Sequence, residues 1–270
     1  MLSARSVFEE ILDSDDAFRL FCSIAAVGEA QGGWENAQIA ALLPASLRYL
    51  GPKVTRHGAD EAKHGRIFNA LLRKRGLTAC VVPGETNYTA LLEARGIGVA
   101  HRDLRRGECL SEQHVVAYLA HSRVTEQRAA EQMAMLVKHF GDREDIGRAV
   151  KVIAADEGRH LAYCHEELLR LVAAGHGTTV RALLRACAKA EADVYRDVSL
   201  AMSECLATLL DWSRIKRAVI VTGVHLVHAY DRTLGRRRLV SLVMPSDPDP
   251  LGRRQPIARP PAVRAARTSE

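Results

Sequence analysis

The hexapeptide ADEAKH at residues 59–64 returns as ADEGRH at residues 155–160. Each copy offers a Glu and a His three positions apart, Glu61 with His64 and Glu157 with His160. At about 3.6 residues per turn, positions i and i+3 share one face of a helix. A carboxylate and an imidazole on one helix can therefore reach the same inward point. Both copies fall in the middle of a segment that reads as a long helix, so two such helices bring two Glu and two His together.

The flanking sequence supplies the helices. Ser14, Asp15 and Asp16 form a helix start, because short polar side chains cap free backbone N–H groups. The segment they open runs to about Leu43, before Pro44. A second helix spans Ser46 to about Arg75, restarts after Gly51-Pro52 and stops at Gly76. Residues 77–110 are the least regular, with Pro83, Gly84, Gly96 and Gly98 and a short helix near Tyr88 to Arg95. That length suits a crossover between two helical hairpins. Ser111 and Glu112 open a third helix that runs to about Phe140. After a turn at Gly141 and Asp142, a fourth runs to about Ala174 and ends at Gly175 and Gly177. Two more segments follow, about Thr179 to Leu210 and Ser213 to Leu234.

The expected fold is all-α, a four-helix bundle with a long crossover and two extra C-terminal helices. One domain spans residues 1–244, with the core bundle at about 16–174 and accessory helices at about 179–234. Six of the nine prolines and five arginines, with no aromatic residue, mark 245–270 as a disordered tail.

A di-metal bundle takes one further Glu from each of its other two helices. Glu126 precedes Glu157 by 31 residues (157 − 126), with the turn at Gly141 and Asp142 about midway. Glu29 precedes Glu61 by 32 (61 − 29). These matched offsets select Glu29 and Glu126, with Glu35 and Glu131 as the next candidates in register. Four carboxylates buried together without cations would have to take up protons or bear a large desolvation cost. Two divalent ions neutralise them, and a 4-Glu/2-His set suits iron or manganese better than zinc.

On these residues the chain resembles the ferritin-like di-iron carboxylate superfamily, which includes rubrerythrins, bacterioferritins, acyl desaturases and bacterial multicomponent monooxygenases. The string Asp156-Glu157-Gly158-Arg159-His160 also resembles a form frequent in its oxygen-activating branch. The resemblance covers roughly residues 16–174. It implies two Fe ions, or Mn or a mixed Fe/Mn pair, held by Glu29, Glu61, His64, Glu126, Glu157 and His160. Glu61 and Glu157 would bridge, Glu29 and His64 would complete one metal, and Glu126 and His160 the other. The four glutamates would be the catalytic carboxylates. Asp60 and Asp156 would accept histidine N–H groups, with Arg159 paired to one of them. Phe68 stands one turn after His64, where the radical-storing members carry tyrosine, which argues against that branch.

Other residues have plainer readings. Gly28, Gly32 and Gly33 around Glu29 mark either a break in the helix or room beside the metals. Tyr163 and Cys164 read as packing or as hydrogen-bond partners near the centre, and His165, His225 and His228 as core or surface histidines. The closest of the six cysteines are 18 apart (205 − 187), which excludes a Cys-x-x-Cys or rubredoxin-type iron site. Reduced thiols, no signal-peptide pattern in the first ten residues, and no run near the roughly 18–20 apolar residues of a membrane span point to a cytoplasmic protein.

The expected function is a non-haem di-iron oxidase or monooxygenase that activates O2 to oxidise a small organic substrate. The accessory helices would wall off a pocket near the metals, with Ala25, Gly32, Phe68, Ala129 and Met133 on its side. An external ferredoxin or reductase would supply electrons, since no flavin or Fe–S motif is visible. A ferritin- or rubrerythrin-like ferroxidase or peroxide-detoxifying protein is the alternative. A tRNA-modifying hydroxylase ranks below it, because the +6 charge and basic tail lack interleaved aromatics. A homodimer is compatible with this fold.

Overall fold

A computed structural model describes residues 3–242, and the tail assigned to 245–270 lies outside them. The described residues form helices joined by turns and loops, without a strand. The chain opens with α1 (Ala4–Asp13), which the sequence reading did not anticipate. Ser3 and Ser6 close a capping box at its start, and Phe8, Ile11 and Leu12 bury its inner face.

Ser14 caps α2 (Asp15–Ala41), with Asp15 and Asp16 in the first turn, where negative charge favours the helix dipole. A 3-10 turn (Ala45–Leu50) leads into α3 (Gly51–Lys74), and Pro52 occupies its first turn at little cost. The crossover carries α4 (Tyr88–Ala94) and α5 (His101–Arg106), the second of which was not expected. Then come α6 (Glu112–Phe140), capped by Ser111, and α7 (Gly147–Leu171). A π-turn at Val172–His176, with Gly175 at φ 95°, kinks the chain into α8 (Gly177–Leu209). Ser213 caps α9 (Arg214–Arg232), and α10 (Arg236–Val240) follows.

Helices α2 and α3 form one hairpin and α6 and α7 the other, while α8 lies along α6 and packs against α9. The first hairpin is unusually close. A Cβ on Gly33 would stand 3.1 Å from the Gly58 carbonyl oxygen, and one on Gly58 would stand 3.0 Å from that of Gly33. Gly28, Gly32 and Gly33 therefore do not break α2, which runs through them unbroken.

The core is split in two. Phe8, Phe18, Phe68, Leu72, Leu136, Phe140 and Ile153 pack at one end, and Ile39, Val54, Val115, Leu119, Leu168 and Leu184 at the other. Each fully buried Leu, Ile or Phe contributes about 1.5–3 kcal/mol. Between these clusters, at mid-height of all four bundle helices, lies a polar layer that apolar burial on both sides must hold together.

The accessory helices are tied in by a buried ionic chain. Arg128 on α6 grips Glu191 on α8 through two bonds of 2.8 and 2.9 Å and reaches Asp231 on α9 at 2.6 Å. Arg238 binds the same Asp231 at 2.7 Å and also binds Glu131. Arg232 pairs with Asp193 at 3.1 Å, so part of the late basic cluster is neutralised internally.

Candidate metal centre

The polar layer contains all six residues picked out by spacing. Glu29 comes from α2, Glu61 and His64 from α3, Glu126 from α6, and Glu157 and His160 from α7. Their donor atoms fall into two groups, within each of which all atoms lie within 4.8 Å of one another. One comprises Glu29, Glu61, His64 and Glu157, and the other His57, Glu61, Glu126 and His160. Glu61 is common to both. Glu157 also spans the two, with one oxygen 3.3 Å from His64 Nδ1 and the other 3.6 Å from His160 Nδ1.

The two aspartates of the repeated hexapeptides cross the bundle. Asp156 on α7 accepts from His64 Nε2 at 2.9 Å, leaving Nδ1 turned toward Glu29 at 3.2 Å. Asp60 on α3 stands 3.5 Å from His160 Nε2 on α7. Lys63 bridges the aspartates, 2.6 Å from Asp60 and 2.5 Å from Asp156, and Arg159 hydrogen-bonds Asp156. The second hairpin thus orients His64 of the first by a hydrogen bond, while Asp60 only stands near His160 without bonding it.

Whether these residues fit a metal pair can be tested on their own hydrogen bonds. Glu126 Oε2 and His160 Nδ1 are buried, lack a hydrogen-bond partner and lie only 3.6 Å apart. Buried polar atoms are rarely left so. Converging donors without hydrogen-bond geometry are what a shared cation requires.

The charges agree. Burial, then repulsion from Glu61, holds Glu29 well above the usual carboxylate range, and burial followed by Glu126 does the same to Glu157. Burial pushes Glu61 up too, but the neighbouring imidazoles of His160 and His57 outweigh it and set it at about 2. Burial should depress His160, yet the nearby carboxylates of Glu126, Glu157 and Glu61 raise it to about 12. Left to themselves Glu29, Glu157 and His160 take up protons where cations would sit, while Glu61 and Glu126 stay ionised beside them. Carboxylate and imidazole donors without thiolate suit iron or manganese.

His57 is the residue that spacing missed. It stands one turn before Glu61, on the face shared by Glu61 and His64, and is 2% exposed. Its Nε2 lies 3.2 Å from both Glu61 and Glu126, and its ring stacks on His160 at 3.8 Å. The alternatives by register lie elsewhere. Glu35 pairs with His101 at 2.5 Å, and Glu131 pairs with Arg238 at 2.9 Å. His228 is held by Asp193 at 2.8 Å, and none of His165, His225 and His228 joins either group.

A cavity of about 340 Å³ opens onto the layer. Glu29, His57, Glu61, Glu126 and Glu157 form part of its wall. Ala25, Gly32, Phe68, Ala129 and Met133 line it as expected from the sequence, and Tyr195 and Val198 of α8 close one side. The crossover contributes Tyr88, Thr89, Leu92 and Val99, which the sequence reading had not placed there. A Cβ on Gly32 would stand 3.2 Å from Glu61 Oε2, so glycine there keeps the carboxylate clear.

No family model matches the chain, and no curated protein sequence does. Among solved structures, "Protein 19 with aldehyde deformylating oxidase activity from Synechococcus" is similar, with a TM-score of 0.51 over 83% of this chain and 94% of that one, at 16% identity. The likeness is one of fold, and that shared fold is the ferritin-like helical bundle. No helix among the described residues is long and apolar enough to cross a membrane.

Proposed function

We propose that the chain is a non-haem di-iron oxidase or monooxygenase that activates O2 and oxidises a small organic substrate. The observation that carries this reading is the cavity of about 340 Å³ whose wall includes four of the six spaced residues, the glutamates. A storage or ferroxidase bundle has no need of such a chamber beside its carboxylates, whereas an enzyme that oxidises an organic molecule does. The activity printed for the Synechococcus protein is of the same broad kind.

Bound iron supplies the one-electron redox chemistry that O2 reduction needs and that no side chain in the layer provides. The remaining work belongs to the chain. Glu29, Glu61, Glu126 and Glu157 hold the centre with His64 and His160, and Asp156 keeps His64 Nδ1 turned inward. Ala25, Phe68 and Met133 exclude water from the chamber and set its width. Electrons come from an external ferredoxin or reductase.

The test is elemental analysis after anaerobic reconstitution with Fe(II) and with Mn(II), on wild type and Glu157→Ala, followed by O2 uptake against a substrate panel. About two metals per chain, halved or lost in the variant, with substrate-dependent uptake that needs a reductase, is the expected result. Absence of metal in every preparation overturns the centre. Two metals with turnover on iron and peroxide alone replaces the oxidase by the ferroxidase or peroxide reading.

A further inference from the structure

The direction of one buried hydrogen-bond chain decides what His57 can do. Asn36 donates its side-chain N–H to the carbonyl oxygen of Gly32 at 3.0 Å. A carbonyl oxygen only accepts, so the amide is fixed with Oδ1 facing the other way. That oxygen lies 2.5 Å from the Tyr118 hydroxyl, which must donate to it. Tyr118 has one proton and has now used it. The Tyr163 hydroxyl, 2.6 Å away, therefore donates to Tyr118. Tyr163 has likewise spent its proton, so across 2.8 Å it accepts from His57 Nδ1–H. A proton of His57 is thus fixed on Nδ1, and Nε2 is the ring nitrogen directed at the metal layer.

Nε2 faces two carboxylate oxygens, Glu61 Oε1 and Glu126 Oε1, each at 3.2 Å. Something positive must lie between that nitrogen and the two oxygens, either a second ring proton or a metal ion, and the two compete for the same lone pair. The relay Asn36–Tyr118–Tyr163–His57 performs for His57 what Asp156 performs for His64, binding the outer ring nitrogen so that the inner one is free to ligate.

Resting on the metal-centre reading above, we infer that His57 is a seventh protein ligand, a third histidine at the metal held by Glu61, Glu126 and His160, with Tyr163, Tyr118 and Asn36 as its positioning residues. The two metals then differ. One has Glu29 and a single imidazole of its own, and the other has Glu126 and two imidazoles. More nitrogen donors favour a softer, more tightly held ion, so the metals load in sequence, the His57 side first.

The experiment is anaerobic titration with Co(II), read by its visible absorption and by X-ray absorption of the loaded protein, on wild type, His57→Ala, His57→Gly and Tyr163→Phe. Wild type should take two ions in two distinguishable steps, with scattering from three imidazoles per pair. His57→Ala should lose the tighter step and one imidazole while keeping the other. Tyr163→Phe removes only a hydroxyl and so guards against misfolding. It should weaken the tighter step by roughly 10–100-fold, as loss of a ligand's outer partner does. Added imidazole should restore the tighter step to His57→Gly. If wild type binds two ions and His57→Ala binds both unchanged, with the same number of imidazoles, the third ligand is refuted while the metal centre stands. If wild type binds none, the centre itself fails.

Discussion

Two Gly→Ala substitutions, chemically identical and both mid-helix, should move stability in opposite directions. In an exposed helix interior the change gains about 1 kcal/mol, because Ala gives up less backbone freedom. Gly158 meets that condition, since a Cβ there has nothing within 4 Å. Gly58 does not. A Cβ there would stand 3.0 Å from both Gly33 O and Asn36 Cβ and 3.2 Å from Ala37 N. These are backbone or near-backbone atoms of the facing helix, which cannot swing aside. Overpacking of this kind costs about 1–3 kcal/mol, so the same propensity gain leaves a net loss of about 0–2 kcal/mol. At about 2–4 °C per kcal/mol for a domain of this size, Gly158→Ala should raise Tm by about 2–4 °C and Gly58→Ala should lower it by up to about 8 °C. Urea denaturation of the two variants beside wild type measures the same difference. Equal stabilisation by both would refute the close approach of α2 and α3 as a structural requirement.

Metal loading should depend on pH in a stated direction. Burial, then neighbouring carboxylates, raises Glu29 and Glu157, so without metal these groups cost stability as pH rises from the unfolded value of 4.5 toward their folded values. Metal removes that cost, so the Tm gain on loading should grow across this window, and a gain that shrinks would contradict it. Glu191→Ala should destabilise the fold by at most about 3–5 kcal/mol in urea, because it strips buried Arg128 of its two-bond partner and leaves it only Asp231. Removing the exposed Arg5–Glu9 pair should cost about 0–1 kcal/mol in the same assay. Gly28→Leu should leave metal content at the wild-type level while abolishing oxidation of the larger substrates, since its Cβ meets nothing within 4 Å and its side chain enters the chamber. Undiminished turnover of every substrate would show that the chamber is not used.

Much of the bundle is legible because its signals are local. Caps at Ser14, Ser111 and Ser213 mark helix starts by a side chain that bonds a backbone N–H three residues on. The 31- and 32-residue offsets work because a hairpin with a central turn returns the chain to the same height. His57 escaped for a related reason. The repeat directs attention to what both copies share, and the position equivalent to His57 in the second copy is Ile153. Helical spacing alone, at 57, 61 and 64, could have found it. The crossover's part in the cavity is not legible in this way, since it depends on where α4 and α5 settle against α2 and α8. Nor is the hydrogen-bond chain through Tyr118 and Tyr163, which joins residues 82 apart (118 − 36) and 106 apart (163 − 57). Gly175 read as a helix end and is instead a kink within a nearly continuous path, because one left-handed residue redirects a helix without unwinding its neighbours.

Division of labour follows from the crossover. Its helix α4 rests on the bundle through Tyr88 to Glu191 at 3.1 Å and Arg95 to Asp197 at 2.5 Å, with His101 clasping Glu35 and Glu93. None of the spaced carboxylates or histidines comes from it, yet it supplies Tyr88, Thr89, Leu92 and Val99 to the chamber. Connecting segments accept substitution more readily than the elements they join. The reactive layer and the chamber's outline can therefore diverge at separate rates. Two chains with the same six spaced residues but different crossovers would share a chemistry and differ in diet, and grafting residues 84–106 from one to the other would carry the diet across.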